Sequence, residues 1–338
     1  MKRIIFLTLF SFSTLTFLFG QIQYRSKYPD IPIVDVHVHV NGSNTVSEYL
    51  TIMETVKQQY GSNLAYIVGF VNGRTASLPE LKATGKNRFL FATNDVSPIR
   101  GFRDNSEEII NQVQNGYVGL KFWFGAPYRR LQPGVAGITR IDDQRLAPMF
   151  SKLEKANVLM TSLHIADPNG PFDNRQVWMA DPVYYWEQIR AFENVVAKYP
   201  NLTIVAAHGA WLFCQDAQLD YLRYMFSTYP NLYVDVSATF QYMPLSNTDN
   251  LRDLFIEYQD RFLFGSDFGG RVENKAEAFA SNFAILETDQ LIDGNLTGVI
   301  THNNLMVKGL NLPREVLEKI YYKNALKLYP GLKGIMGL

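Results

Sequence analysis

The residues of this chain best suited to metal or proton chemistry are four of its five histidines and one aspartate. His37 and His39 stand one residue apart in an apolar, β-branched run, and His164 and His208 each end a later apolar run. Asp267 ends a further run, Phe-Leu-Phe-Gly-Ser-Asp. Imidazole nitrogens are common ligands for zinc, iron, nickel or manganese, and a carboxylate oxygen can complete such a donor set. These residues are therefore candidates for a divalent-metal site.

The joint placement of these residues carries more weight than any one of them. Alternate residues of a strand face the same side, so the rings of His37 and His39 should point the same way. If the runs are strands of one barrel, their carboxyl ends meet at one mouth and the side chains become neighbours. The alternative is a set of structural histidines and a Ser-Asp turn or helix cap, since each feature alone is common. Four histidines and an aspartate at predicted strand ends favour the metal site.

The predicted ligands are His37, His39, His164 and Asp267. Three ring nitrogens and one carboxylate would hold one ion and leave a position for water, which separates a catalytic site from a structural one. Such an ion lowers the pKa of water to about 7. We take Zn²⁺ as the first candidate, with one ion or two. His302 lies in a polar Thr-His-Asn-Asn segment and is expected to be structural or at the surface.

Eight short apolar runs are the elements that would position these side chains. Near-continuous apolar runs are typical of a parallel sheet that is covered on both faces. The predicted strands are 33–39, 64–70, 88–96, 116–122, 158–164, 202–208, 232–236 and 262–267.

Amphipathic segments separate the predicted strands. They include 46–56, 146–153, 183–199, 215–229 and 250–258, and two of them end in Tyr-Pro-Asn-Leu, where proline stops the helix. Strand–helix alternation repeated eight times predicts an α/β fold, a single-domain (β/α)8 TIM barrel, over residues 21–338. A doubly wound open sheet is the alternative. The long loops after predicted strands four, five and seven (125–140, 166–181 and 238–250) are expected to wall the active site.

Composition limits the classes of partner. The chain has 32 basic and 32 acidic residues and no run of either sign, so a nucleic-acid interface is not expected. Residues 1–20 begin with Lys2 and Arg3 and continue as an apolar stretch to Gly20, which predicts a signal peptide and export to the periplasm or beyond. A membrane anchor is the weaker alternative, because the stretch is short for a span.

The single cysteine, Cys214, has apolar neighbours and is expected to be a buried, inert thiol.

Several motifs resemble those of the amidohydrolase superfamily, and of its amidohydrolase 2 branch in particular. They are Val-Asp-Val-His-Val-His at 34–39, Ser-Leu-His at 162–164, Ala-Ala-His-Gly at 206–209 and Phe-Gly-Ser-Asp-Phe at 264–268. A closing helix at 316–329, with an Asn-Ala step, is also similar to that branch. The resemblance spans 33–329 and implies a metal-bearing (β/α)8 barrel.

The resemblance also implies residue roles. In members with one metal the ligands correspond to His37, His39, His164 and Asp267, and Asp267 also accepts the proton of the attacking water. His208 then polarises the substrate or shuttles protons. Lys121 ends predicted strand four, and in members with two metals a lysine at this place is carboxylated and bridges the ions. One metal is slightly favoured here, and a lysine that contacts substrate or pairs with a carboxylate is the alternative.

Three functions follow from this resemblance. The first is a metal-dependent hydrolase of an amide, lactone or ester. The second is a non-oxidative decarboxylase on the same barrel, and the third is a binding protein that has lost turnover. Retention of both His208 and Asp267 argues against the third.

The substrate is expected to be a small molecule, anionic or cyclic. Arginine in loops suits carboxylate or phosphate groups, and tryptophan suits a ring or sugar face. The candidate substrate-binding residues are Trp123, Arg129, Arg175 and Trp211. The alternative is that the arginines are solvated and the tryptophans pack structurally. The sequence leaves open whether the chain forms a homo-oligomer.

Overall fold

The structure, a computed structural model, describes residues 22–72, 76–96, 104–124, 137–166, 182–269, 272–298 and 305–338. The predicted signal peptide lies outside these residues. Among the described residues, no helix has the length and the apolar character that crossing a membrane requires.

Eight parallel strands form one sheet in chain order. Each strand is followed by a helix before the next begins, as the alternation of apolar and amphipathic segments predicts. The strands are β1 Pro32–Val40, β2 Asn63–Val71, β3 Phe89–Val96, β4 Leu120–Phe124, β5 Met160–Ile165, β6 Ile204–Ala206, β7 Leu232–Asp235 and β8 Phe262–Leu263. The helices are α1 Ser43–Tyr60, α2 Leu78–Gly85, α3 Ser106–Gln114, α4 Ala147–Lys155, α5 Pro182–Lys198, α6 Asp216–Thr228, α7 Thr248–Glu257 and α8 Lys275–Glu287.

The chain that follows β8 closes the sheet onto β1. The N–H of Val36 donates to the carbonyl of Phe264 at 3.0 Å, and the N–H of Asp267 donates to the carbonyl of His37 at 2.8 Å. Val38 and Phe268 also form a parallel bridge. The eight strands therefore make a nearly closed barrel, and the open-sheet alternative is wrong.

An irregularity in β1 decides which of its residues face the barrel interior. Val34 and Val36 pack with an inner cluster that includes Phe70, whereas Val38 and Val40 pack with the larger cluster between sheet and helices. The register between β1 and β2 shifts between Asp35 and Val38. A bulge of this kind redirects side chains near active sites. Here Val34 and Val36 fill the barrel floor, and after the bulge His37 and His39 face inward.

The carboxyl-terminal helices close the amino end of the barrel. Arg314–Glu318 (α9) runs through one π-helical turn, Lys319–Lys323, into Asn324–Leu328 (α10), and Pro330–Met336 (α11) follows. Ala325, Tyr329 and Leu332 belong to the inner cluster. The side-chain amide of Asn324 donates to the carbonyls of Gln259 and Phe262, both at 2.8 Å. This is the predicted closing helix with its Asn-Ala step, and it anchors the start of β8.

The eight predicted strands all lie in the barrel and in the predicted order, but their ends differ, and the structure adds two short antiparallel strands, β9 Leu291–Asp293 and β10 Met306–Lys308. Predicted strand four starts at 116, whereas β4 starts at Leu120, because Gly116 and Gly119 have positive φ angles. Predicted strands six and eight extend to His208 and Asp267, whereas β6 ends at Ala206 and β8 at Leu263. Helices α5 and α6 end at Lys198 and Thr228, just before the two Tyr-Pro steps.

Cys214 is buried and unpaired, and burial raises the pKa of its thiol to about 12, in agreement with an inert role.

Gly119 gives a test of how tightly β4 and β5 approach. Its φ is +153°, and a Cβ there would lie 2.3 Å from the carbonyl oxygen of Leu159. Gly119→Ala should lower the free energy of unfolding by about 2 kcal/mol more than Gly137→Ala, measured by urea denaturation. Gly137 is the matched control because its φ is also positive, at +68°, but nothing lies within 4 Å of its added Cβ. Equal losses in the two variants would show that β4 can move away from β5.

Candidate metal centre

Asp267 lies between the two histidines of β1. Its Oδ1 is 3.1 Å from Nε2 of His37 and 3.1 Å from Nε2 of His39. The chain that leaves β8 places it there. Asp35 accepts hydrogen bonds from the N–H and the hydroxyl of Ser266 and from the N–H of His37. Asp35 thereby ties the residue before Asp267 to β1, and both predicted histidine ligands of β1 face the same carboxylate.

His208 and His164 form a second pair of rings. His208 Nδ1 donates to the carbonyl of Ser237 at 2.9 Å, because a carbonyl oxygen can only accept. Its Nε2 therefore carries the lone pair and lies 3.0 Å from Nδ1 of His164, which acts as the donor. Burial lowers the pKa of both imidazoles to about 3, with the charge of Lys121 adding to the effect on His164. Both rings are therefore neutral at pH 7, which is the form that binds metal.

Asp235, on β7, holds the ring of His37 and the backbone of His208, and it is a site residue that the sequence interpretation missed. Its Oδ2 accepts from His37 Nδ1 at 2.9 Å, and its Oδ1 accepts from the N–H of His208 at 3.1 Å. The N–H and the hydroxyl of Ser237 also donate to Oδ1. Burial disfavours the Asp235 carboxylate, but attraction to His37 outweighs burial and lowers its pKa. A carboxylate within the apolar run Leu-Tyr-Val-Asp-Val was the available signal.

Because Asp235 accepts the Nδ1 proton, it directs Nε2 of His37 toward Asp267. A carboxylate on the far nitrogen of a metal-binding histidine fixes the ring tautomer and its orientation. Ser237 supports both rings, with its hydroxyl oxygen 2.9 Å from His37 Nδ1 and 3.0 Å from His208 Nδ1. The site thus has both a donor set and the partners that orient it.

Lys121 reaches the same place from β4. Its Nζ lies 2.6 Å from Nε2 of His37 and donates to the hydroxyl of Ser162 at 3.2 Å. The lysine is buried, and burial lowers its pKa to about 8. Within the described part of the chain, its amino group has no carboxylate at ion-pair distance. Lys121 therefore sits next to a candidate ligand atom and has no direct anionic partner there.

The donors fit a divalent ion, and they group slightly differently from the predicted set. One donor atom each of His37, His208 and Asp267 lies within 4.8 Å of the others. Burial raises the pKa of Asp267, but His37 above all outweighs burial and holds it well below its usual value, so the carboxylate is ionised. His39 and His164 each contact a member of this group. Nε2 of His208 can accept from His164 or bind an ion, but its single lone pair cannot do both.

Several site residues have a left-handed backbone, which L side chains rarely adopt. The φ angles are +31° at Ala166, +54° at Ala238 and +61° at Asp267. His208, Gly209, Ala210 and Trp211 form a run of four, with φ between +53° and +59°. A left-handed residue other than glycine costs about 1–2 kcal/mol, and such strain collects at functional sites. All these positions follow β5, β6, β7 or β8.

The predicted substrate residues are only partly described. The Trp123 ring lies 5.4 Å from that of His164, at the end of β4. Trp211 is buried and packs on His208, with ring centroids 4.7 Å apart. Arg129 and Arg175 lie outside the described residues. Contact of these four residues with a substrate stays a prediction.

The sequence matches a family model described as Amidohydrolase over residues 103–331, more than half of the chain. No curated protein sequence matches this chain.

Solved structures with a similar chain path share little sequence with this protein. They include 5-carboxyvanillate decarboxylase from Novosphingobium aromaticivorans, complexed with manganese and a nitrobenzoic acid. It is 12% identical, with a TM-score of 0.49 over 91% of this chain and 98% of that one. The apo IDCase of Metarhizium anisopliae is 12% identical, with a TM-score of 0.47 over 90% and 98%. An amidohydrolase 2 from Bifidobacterium longum subsp. infantis is 12% identical, with a TM-score of 0.44 over 89% and 99%. Similarity this low does not identify a reaction or a substrate.

Asp235→Asn tests whether β7 orients the donor set. The amide oxygen should take the place of Oδ1, which accepts from three donors, so the amide nitrogen would face His37 Nδ1. Because that nitrogen can only donate, it would favour the wrong tautomer of His37. Metal affinity should fall about 10- to 100-fold, measured by competition with a chromophoric chelator. The control is Asp260→Asn, which removes the exposed partner of Lys319 and Lys327. Wild-type affinity in Asp235→Asn would show that His37 needs no partner on Nδ1.

Proposed function

Because the chain belongs to the amidohydrolase family, we propose that it is a metal-dependent hydrolase acting on an amide, lactone or ester of a small anionic molecule. The observation that carries this proposal is the position of Asp267. An ionised carboxylate there contacts Nε2 of both His37 and His39, at the mouth of the barrel. This combines a metal ligand and a general base in one residue.

His37, His208 and Asp267 would hold the ion, with His39 and His164 adjoining. When bound, a divalent ion polarises a carbonyl and lowers the pKa of water. Zn²⁺ remains our first candidate, because imidazoles dominate the donor set. Because Lys121 lies beside His37, the proposal includes a second form of the site, in which Lys121 is carboxylated and two ions are bound.

Asp267 is the proton carrier of the proposed reaction. Its low pKa keeps the carboxylate ionised, so it can accept a proton from water as the water attacks the carbonyl carbon. Asp267 then returns that proton to the leaving oxygen or nitrogen. Its left-handed backbone, held by the N–H bond to the carbonyl of His37, keeps the carboxylate at the mouth.

The tautomer of His208 limits what this residue can do. Its Nδ1 proton is used by Ser237, and its Nε2 is an acceptor, so the neutral ring has no proton to offer an oxyanion. The geometry therefore favours His208 as a ligand or a hydrogen-bond acceptor. Lys121 is the donor available for developing negative charge, since its amino group reaches the same site.

Lys121 also supports an anionic substrate. A buried cation is stabilised by an opposite charge, and in the described residues its contacts are the imidazole of His37, the hydroxyl of Ser162 and the ring of Phe70. A substrate carboxylate at this position would complete the pair.

The same lysine supports a second candidate reaction, non-oxidative decarboxylation. A decarboxylase must hold a carboxylate in a buried place and deliver a proton to the carbon it leaves. Lys121 can hold the carboxylate, and the Asp267 carboxylate can take a proton from water and pass it to the carbon that CO₂ leaves. We further propose export of the enzyme, on the strength of the pattern in residues 1–20.

Isotope labels separate the two reactions. The metal-loaded protein is incubated with lactones, esters, amides and aromatic carboxylates, each in H₂¹⁸O and in D₂O. Hydrolysis should put ¹⁸O into the product acid, whereas decarboxylation should release CO₂ and put deuterium on carbon. Asp267→Asn should lower kcat by about 10²- to 10⁴-fold in either case, because the proton carrier is lost.

Asp260→Asn is the control for the loss of one carboxylate. Deuterium on carbon without ¹⁸O in the product acid would show that the reaction is decarboxylation and not hydrolysis. Binding of these molecules without turnover of any of them would contradict both and favour a binding protein.

A further inference from the structure

The turn after β6 is a left-handed helical turn of four residues. His208, Gly209 and Ala210 have φ, ψ angles near +59°, +33°, then +59°, +26°, and +53°, +24°, and Trp211 continues the turn with φ +57°. The N–H of Leu212 donates to the carbonyl of Gly209 at 3.0 Å. L-residues adopt this conformation singly, so a run of four needs a reason in the surrounding structure.

Both ends of this turn are held by buried groups. The N–H of His208 donates to Asp235, and the carbonyl of Trp211 accepts from the hydroxyl of Tyr185 on α5 at 2.9 Å. In between, a Cβ on Gly209 would lie 2.4 Å from Cε2 of Phe213, so only glycine fits. The turn is thus held in a strained form by β7 at one end and α5 at the other.

The consequence of the turn is a stack of three rings. It brings the indole of Trp211 onto the imidazole of His208, with centroids 4.7 Å apart and planes at 31°. His37 lies on the site side, with its ring 5.1 Å from that of His208 and planes at 32°. The ring of Tyr242 packs edge-on against Trp211 at 5.7 Å.

The stack supplies a constraint that the hydrogen bonds of His208 do not. The bond from Nδ1 to Ser237 fixes the tautomer and the position of one nitrogen, whereas the bond from His164 to Nε2 must be given up when that lone pair binds an ion. The imidazole could then turn about its Nδ1 bond. A flat ring packed on one face prevents this turning. Once an ion takes the Nε2 lone pair, the direction of Nε2 therefore depends on the indole.

We propose that Trp211 is a positioning residue for His208, and that the left-handed turn exists to place its indole on the imidazole. This inference rests on the proposed function only in taking His208 to serve a metal. It adds a role for Trp211 behind the histidine, distinct from the predicted contact with substrate.

The test compares Trp211→Phe, which keeps a flat ring, with Trp211→Ala, which removes it. Phe226→Ala is the matched control, because Phe226 is a buried aromatic that packs on Tyr258 and Phe262, away from the site. The affinity for Zn²⁺ is measured by chelator competition. The imidazole signals of His208 are followed in metal-free, ¹⁵N-histidine-labelled protein, with His208→Gln for assignment.

Trp211→Ala should weaken Zn²⁺ binding about 10-fold and broaden the Nε2 signal of His208 in the metal-free protein, because the ring turns more freely while its Nδ1–H tautomer stays. Trp211→Phe should stay within about 3-fold of wild type and keep a sharp Nε2 signal for His208. Phe226→Ala should lose thermal stability without either change. Loss of stability alone in Trp211→Ala, with Zn²⁺ affinity and His208 signals as in wild type, would overturn the proposal.

The metal-free spectra keep this inference separate from the proposed reaction. If wild type binds Zn²⁺ but turns over nothing, the reaction fails and the positioning role is still decided by affinity. If wild type binds no Zn²⁺, the proposed function fails, and the His208 signals of the two variants still decide whether Trp211 orients the ring.

Discussion

The carboxylate of Asp235 is the interaction on which the candidate site depends most. It is fully buried and accepts from the His37 ring, the His208 backbone, and both the backbone and the hydroxyl of Ser237. An isolated buried charge is strongly unfavourable, so these donors are what allow it to exist there. In return it joins β1, β6 and β7 and sets the tautomer of His37. Asp267 is then ionised beside the ring of His37, and His208 is neutral with its Nδ1 proton on the carbonyl of Ser237.

The chain leaves the sheet early at β6 and β8, and this places the functional side chains. β6 and β8 are only three and two residues long, and the functional side chains follow them on irregular backbone. Asp267 and His208 both have left-handed φ angles, which fixed hydrogen bonds to β1 and β7 sustain. Strain of this kind is tolerated where the surrounding structure determines the conformation. Beneath the site, the apolar floor of the barrel and the carboxyl-terminal helices that close it pack into one buried cluster.

The fold could be predicted from sequence because its signals are local and repeated. Apolar β-branched runs mark strands, and the Tyr-Pro steps mark helix ends just where the structure has them. The ends of β6 and β8 could not be predicted, because Ala-Ala-His-Gly and Phe-Gly-Ser-Asp continue the apolar pattern after pairing has stopped. The inward direction of His37 was expected from alternation alone, yet it also requires the bulge between Asp35 and Val38.

The clustering of the candidate residues could be predicted, whereas the residues that support them could not. The structure brings together the six side chains that were placed at strand ends, which are His37, His39, His164, His208, Lys121 and Asp267. Which of them bind an ion stays a prediction. Asp35 and Asp235 each lie within an apolar strand run, and their partners are distant in sequence. A buried carboxylate in such a run is a usable signal for a second layer of a site. The role of Trp211 depends on backbone angles that no spacing pattern reveals.

The central claim is that this mouth of the barrel binds a divalent ion. The most direct measurement is metal content per chain, by mass spectrometry, on protein purified without chelator, beside a His37→Ala variant. The account predicts about one ion per chain in wild type and its loss in the variant, because His37 is both a donor and the link to Asp235. Two ions would make Lys121 a bridging ligand. No ion, even after Zn²⁺ or Mn²⁺ is added back, would contradict the account.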